Sequence, residues 1–412
     1  MKEKLFSFIE NSVDIAVELQ TELCKRPAVS PDNDGEGELD KCEFLEAWLK
    51  KQGIMQLERY DAPDPRAKGG IRPSLLASIA GKDDKLPRLW IMSHLDVVPP
   101  GELSLWKSDP WTLVKSGEGQ EMKLSGRGVE DNQQGLTSSV LAALAFVRQG
   151  LMPERTLKLL FVADEENGSA YGIDWIIKNH PAFFRKDDLV LIPDSGDPSG
   201  DAIEVAEKNS LWLKFISRGL QAHGSRPDQG INAHLAGAEL ALALHYGLSE
   251  KFSHKDPLFE PDYSTFQLTK KEANVPNINT IPGEDVFYYD MRILPNYKND
   301  EVLKEVKNII GEVEKKHGLK IECQVVQGKE SLPTSPDAPL IKLLSSCIEE
   351  VYPVKARTIG IGGGTVAAFL RNAGIDSAVW ARIESTAHQP NEYTLMSNII
   401  GDAKIMALMC LA

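Results

Sequence analysis

Apolar runs without polar alternation constrain this chain most. RLWIMSHLDVV, TLKLLFVADEE and LVLIPDSG read as strands, while QGLTSSVLAALAFVRQG and YGIDWIIKNHP carry helical periodicity. A strand that is apolar along its length buries both faces, as in a largely parallel sheet covered by helices. The same strands end awkwardly for burial. LKLLFVADEENGSA, Leu157 to Ala170, runs straight into Asp164, Glu165 and Glu166. Two like charges ~4 Å apart cost ~4 kcal/mol at an effective dielectric of ~20. Either a solvated turn relieves that repulsion, or a cation sits among the acids and they divide its work.

With 412 residues the chain exceeds one ordinary core, and two domains are expected. The pattern changes near Leu211. SLWLKFISRG (strand), INAHLAGAELALALHYGL (helix), YSTFQLTKK and EDVFYYDMRIL (strands), NDEVLKEVKNIIGEVEKKHG (helix) and LKIECQVVQG (strand) follow in the order βαββαβ. After this unit DAPLIKLLSSCIEEVY, GGGTVAAFLRNAG and IDSAVWA resume the first style. The fold class expected is α/β, with a discontinuous first domain (residues 1–211 and 329–412) built on a mostly parallel sheet between helices. A βαββαβ, ferredoxin-like domain (residues 212–328) is inserted into it. The N-terminal MKEKLFSFIENSVDIAVELQTELC reads as one amphipathic helix and not a signal peptide, and GEGELDKCEFLEAWLKKQG as a second helix closed by Gly53. No run is long enough to span a bilayer, and a cytoplasmic protein is expected.

The formal net charge is −14, which argues against nucleic acid and anionic membrane as partners. Part of the acid excess suits metal ligands. Cys24, Cys42, Cys323, Cys347 and Cys410 are scattered, with no CxxC, and suggest inert thiols in a reducing compartment.

Candidate ligands gather where the strands end. WIMSHLDVV puts His94 and Asp96 on the same side of an extended chain, an imidazole with an acid placed to orient it. Asp131 stands in a Gly-rich turn before a helix, where an N-cap is the ordinary reading. Glu165 and Glu166, Asp194 in LIPDSGD and His388 in ESTAHQPNEY complete the set. The carboxyl ends of strands line the ligand crevice of an open α/β sheet. Each residue alone has an ordinary structural explanation; together they suit two zinc-like ions ~3.5–4 Å apart. Two adjacent glutamates do not easily reach one ion, so one binds and its neighbour serves as general base.

Taken in order, SHLDVVPPGE, GRGVEDNQQG, ADEENGS, IPDSG, GLQAHGSRPDQGINA, NTIPGEDVFYYDMR, GGGT and TAHQPNEY resemble the co-catalytic zinc peptidase family. That family includes succinyl-diaminopimelate desuccinylase, acetylornithine deacetylase, aminoacylase, carboxypeptidase G and the carnosinase-type dipeptidases. The resemblance spans most of the chain and implies roles. Asp131 bridges two divalent ions, with zinc favoured and manganese or cobalt compatible with the same ligands. His94 and Asp194 complete one site, Glu166 and His388 the other. Asp96 orients His94, and Glu165 is the general base. Asn132 follows a position that is often a cis peptide. The inserted domain becomes a lid and homodimerisation domain. Its His223 reaches a neighbouring subunit's site to support the oxyanion, while Arg292, Asn279 and the Gly364–Thr365 turn hold a substrate carboxylate.

Two departures stand out. NQQG replaces the family's common lysine-and-glycine pattern after Asp131. Asp stands at 194, where deacylases and carboxypeptidases of the family usually carry Glu, and Asp there accompanies aminopeptidases and dipeptidases. The function expected is therefore metal-dependent hydrolysis of an amide bond in a small peptide-like substrate, a dipeptidase or aminopeptidase first and an N-acyl-amino-acid deacylase second. A non-catalytic metal-binding protein on this fold would have lost the base or a ligand, and none is missing.

Overall fold

The computed structural model describes residues 1–412. The chain forms two units, Met1–Val205 with Thr334–Thr358 and Phe369–Ala412, and Ala206–Pro333 with Ile359–Ala368. The crossings fall a few residues from the expected 211/212 and 328/329. A larger difference is the stretch Ile359–Ala368, expected in the closing part of the first domain but grouped with the inserted one. Local bonding accounts for it. The Gly360 N–H donates to the Leu258 carbonyl at 2.7 Å and the Lys208 N–H to the Ile361 carbonyl at 2.9 Å. A Cβ on Gly360 would fall 2.4 Å from the Phe259 ring.

The first unit is built on an eight-stranded mixed sheet. Its strand order is Gln56–Pro63, Ile71–Ile79, Leu157–Val162, Leu89–His94, Leu189–Asp197, Ser377–Arg382, Ala202–Glu207, Arg357–Ile361. The four central strands, Leu157–Val162 through Ser377–Arg382, pair parallel. Antiparallel pairs flank them. All six residues of Leu89–His94 are buried, as a two-sided strand requires. The parallel register sets His94 opposite Val162, so the chain ends that follow these strands emerge along one edge. Helix Gln133–Gln149 is buried from Gln133 to Phe146.

The N-terminal segment expected as one helix is two, Lys2–Glu10 and Val13–Cys24. At the break the Asn11 amide donates to the Ser7 carbonyl and the Ser12 hydroxyl to Phe8, both at 2.7 Å. Such side chains compete with the helix ladder for its carbonyls.

The second unit is βαββαβ, as expected. Its antiparallel sheet has the order Thr265–Lys271, Glu284–Ile293, Asn209–Arg218, Lys320–Lys329. Helices Ala233–Lys251 and Asn299–His317 enclose with it a core that includes Phe215, Leu240, Leu244, Phe287, Val306 and Ile310. No helix of the chain is long and apolar enough to cross a membrane.

A buried ionic network stands behind the Leu157–Val162 strand. Arg72 is fully buried and donates to both carboxylate oxygens of Glu38, with Nε at 2.7 Å. It lies 3.2 Å from Asp164, and the Asp164 N–H donates to Glu38. Removing one partner of a buried pair leaves the other charge uncompensated, at a cost of about 3–5 kcal/mol. Arg72→Met should therefore destabilise the first unit by that order, read as a fall in the denaturant midpoint. A loss below about 1 kcal/mol would contradict the role given to Arg72.

Candidate metal centre

Seven predicted residues come together at and beyond the strand ends. The His94 ring Nδ1 is 2.9 Å from the Asp96 carbonyl oxygen and donates to it. Nε2 is thereby left facing the acids, 2.8 Å from Asp131 and 3.3 Å from Asp194. His388 Nε2 lies 3.1 Å from the other Asp131 oxygen and 3.1 Å from Glu166. Asp131 thus presents one oxygen to each imidazole. The ligand atoms of His94, Asp131 and Glu166 fall within 4.8 Å of one another, as do those of His94, Glu165 and Asp194.

Backbone geometry aims these groups. Asp164, expected to share the work of the two glutamates, faces away from them. It adopts a left-handed φ of 60°, unusual for a residue with a Cβ, and is held by Arg72 and by the Tyr171 N–H at 3.0 Å. That turn swings the chain so that Glu165 and Glu166 leave the strand end together. Asp96 grips both, since its two carboxylate oxygens accept the Glu165 and Glu166 N–H groups at 3.0 Å each. The expected carboxylate–imidazole contact is longer, at 3.5 Å. Asp96 therefore orients His94 mainly through its backbone carbonyl and uses its side chain on the two glutamates. Asp131 is not the helix N-cap; Asn132 occupies that position. The Asp131–Asn132 peptide is cis, and the Asn132 amide donates to the Pro193 carbonyl at 2.7 Å and to Asp194 at 2.6 Å.

The electrostatics are those of acids short of cations. The hydrogen bond to Asp131, then that to Glu166, push the His388 imidazolium up to about 10. Burial of His94 works against its charged form, but Asp194 and Asp131 outweigh it and its pKa also rises. Burial raises Glu165 well above the ordinary carboxyl range, and the neighbouring Asp194 adds to it. Asp96 is held low despite burial, by the His94 hydrogen bond and charge and by the two glutamate N–H groups.

This donor set fits divalent metal. Two imidazoles and four carboxylates converge, and Glu166 Oε1 is buried without a hydrogen-bond partner. A buried carboxylate oxygen left without a donor is costly, and an ion would satisfy it. His94, Asp131, Glu166, Asp194 and His388 are the residues that would hold it.

The remaining predicted residues lie in the second unit. Two short strands pair Ala222 with Ile281 and His223 with Thr280, and the Gly224 N–H donates to the Asn279 carbonyl at 2.6 Å. One ribbon thus carries both His223 and Asn279. His223 is exposed, and its Nδ1 accepts the Ser225 N–H at 3.2 Å, which leaves the proton on Nε2 as a free donor. Arg292 differs from expectation. Nε and one terminal nitrogen donate to the two Asp290 oxygens at 2.7 and 3.0 Å, and the other terminal nitrogen to the Gly362 carbonyl at 3.1 Å. Of five N–H groups, two are left for a ligand. Gly362, Gly363 and Gly364 have no left-handed φ, and nothing lies within 4 Å of a Cβ placed on Gly362 or Gly363. Neither backbone conformation nor packing requires glycine at those two positions, which leaves room for close approach. The helix that follows, Ala367–Asn372, has six residues, so an anion here would rest on loop N–H groups and not on a helix end. The Thr365 hydroxyl donates to Glu207 at 2.6 Å.

The sequence reading missed the residues that hold the ligands. Glu392 is fully buried and accepts the Gly128, Glu130 and Asp131 N–H groups at 3.0–3.1 Å together with Arg127 at 2.6 Å. Burial lifts its carboxyl to about 7 even so. The buried Lys41 ammonium donates to the Leu95 carbonyl, between His94 and Asp96, at 2.9 Å. A buried charge in an otherwise periodic helix was the available signal for Lys41. Glu392, in a loop, offered none.

Comparisons with known proteins agree with this geometry. A metallohydrolase of Methanocaldococcus jannaschii, itself uncharacterized, is 37% identical over 95% of this chain and 98% of its own. Succinyl-diaminopimelate desuccinylase of Nautilia profundicola is 27% identical over 92% and 94%. The structure of the Saccharomyces cerevisiae di-peptidase Dug1p superposes with a TM-score of 0.72 at 18% identity, covering 100% of this chain and 98% of that one. The model of peptidase family M20/M25/M40 matches residues 90–412, the stretch that holds every proposed ligand. The protein is a member of peptidase family M20/M25/M40.

Proposed function

We propose that this protein hydrolyses the amide bond of a small peptide-like substrate at a dinuclear metal centre, as a dipeptidase or aminopeptidase. The observation that carries the reading is the division of the adjacent glutamates. Glu166 meets His388 and Asp131, while Glu165, gripped by the same Asp96 carboxylate, groups with His94 and Asp194. His94 and Asp194 would hold one ion, Glu166 and His388 the other, with Asp131 placed to serve both. Zinc is favoured, and manganese and cobalt suit the same donors. When bound, such ions would supply Lewis-acid chemistry toward the scissile carbonyl and toward water.

The chain's own groups do the rest. Glu165, grouped with His94 and Asp194, accepts a proton from a water in the site and delivers it to the leaving amine. The Nε2 proton of His223 supports the oxyanion from a neighbouring subunit. Asn279, the two unspent N–H groups of Arg292, and the Gly364–Thr365 turn hold the substrate carboxylate. A homodimer through the inserted domain is part of this reading. Leu235, Leu242 and Tyr246 are exposed on helix Ala233–Lys251, and strand Thr265–Lys271 is an open sheet edge. The second reading, an N-acyl-amino-acid deacylase, keeps metals and base and changes the acyl pocket. Desuccinylases among the sequence relatives favour it. Asp194 favours the first.

Four outcomes are expected. Glu165→Gln should lower kcat by at least about 10²-fold while zinc binding is retained, since a positioned base contributes roughly 10²–10⁴-fold. Wild-type protein stripped of metal and reloaded should cleave dipeptides in preference to N-acetyl and N-succinyl amino acids, and the reverse preference would select the deacylase. Zinc added to metal-free protein in weak buffer should release protons from His94 and His388, and affinity should rise with pH up to about 10, where His388 loses its proton unaided. Binding with no proton release would contradict the ligand set. For the subunit claim, His223→Ala mixed with Glu165→Gln should regain activity once subunits exchange. No recovery in mixtures shown to exchange would remove His223 from the partner's site.

A further inference from the structure

The residue before Asp131 has partners that the metal reading does not use. Glu130 precedes the proposed bridging ligand and is only 3% exposed. Its carboxylate receives the backbone of the segment leading to His388. One oxygen accepts the Glu384 N–H, and the other accepts the Thr386 N–H. The Thr386 hydroxyl lies 2.9 Å from that second oxygen and itself accepts the Tyr393 N–H at 3.0 Å.

The segment needs such a hold. Ser385 and His388 both adopt left-handed backbone conformations, with φ of 59° and 63°, which side chains with a Cβ disfavour by roughly 1–3 kcal/mol each. His388 is exposed, so packing does not fix it. Glu392, four residues further on, accepts the N–H groups of Glu130 and Asp131. The two carboxylates therefore clasp reciprocally. Glu392 fixes the turn that carries Asp131, and Glu130 fixes the loop that carries His388.

We infer that Glu130 is a positioning residue for His388, setting the affinity of one ion of the proposed pair and not of the other. The inference rests on the dinuclear reading above. A carboxylate suits the task because it offers acceptors only. Glutamine keeps the shape but turns a donor toward backbone donors. Outer partners of metal ligands typically change affinity 10–100-fold.

The test is a zinc titration of metal-free protein by calorimetry, with ions per chain counted after dialysis. Wild type should bind two ions. Glu130→Gln should weaken one of them at least about tenfold and leave the other within about twofold, by the same outer-partner argument. His388→Ala should weaken the same ion, and adding Glu130→Gln to it should change nothing further, because both act on one ligand. General destabilisation would not produce that non-additivity. If Glu130→Gln does not fold, Thr386→Val removes one contact of the same clasp, and a smaller loss confined to the same ion carries the test. Equal weakening of both ions, an undiminished wild-type pattern in Glu130→Gln (or, in its place, Thr386→Val), or a Glu130→Gln effect that persists in the His388→Ala protein would overturn the inference. Wild-type protein that binds fewer than two ions would instead overturn the dinuclear reading, before any variant is made.

Discussion

Carboxylates crowded at the edge of a sheet repel one another, and most of what surrounds the centre answers that repulsion. Asp96, Asp131, Glu165, Glu166 and Asp194 converge around two imidazoles. Hydrogen bonds to charged groups are worth about 1.5–3 kcal/mol each, comparable with the repulsion they offset. The chain supplies them from backbone N–H groups, two to Asp96 and three to Glu392. Buried cations stand one layer out, with Arg72 on Glu38 and Asp164, Arg127 on Glu392 and Lys41 on the Leu95 carbonyl. The inward-facing oxygens are left for ions.

The arrangement also explains why an apolar strand ends in three consecutive acids. They have three different tasks. Asp164 faces Arg72 and, with its left-handed φ, turns the chain. Glu166 meets His388, and Glu165 groups with His94 and Asp194. Adjacent side chains on a strand point to opposite faces, so an unbroken strand would not deliver Glu165 and Glu166 to one place. The turn at Asp164 and the double grip of Asp96 do so.

The strand ends and the acids and histidines near them were legible because short-range rules govern them. Apolar runs announce buried strands and strand ends line the crevice: His94 closes the Leu89–His94 strand, the glutamate pair follows Leu157–Val162 by a few residues, and Asp194 lies near the end of Leu189–Asp197. The βαββαβ order was legible from period alone. The supports were not, because they pair residues far apart in sequence. Arg72 reaches Glu38 and Asp164, and Glu392 reaches back to residues 127–131. The stretch Ile359–Ala368 resembled the first domain in composition but bonds to Leu258 and Lys208. One miss was avoidable. Period-two alternation places Asp290 and Arg292 on the same side of a strand, and their ion pair, which takes two of the five guanidinium N–H groups, follows from that spacing.

In the proposed centre Asp131 is shared between two ions, each completed by a different histidine. Anomalous diffraction at the zinc edge from crystals of the zinc-loaded protein should show two peaks per chain, one beside His94 and Asp194 and the other beside Glu166 and His388, with Asp131 bound to both. A single peak, or a second ion bound without Asp131, would contradict it.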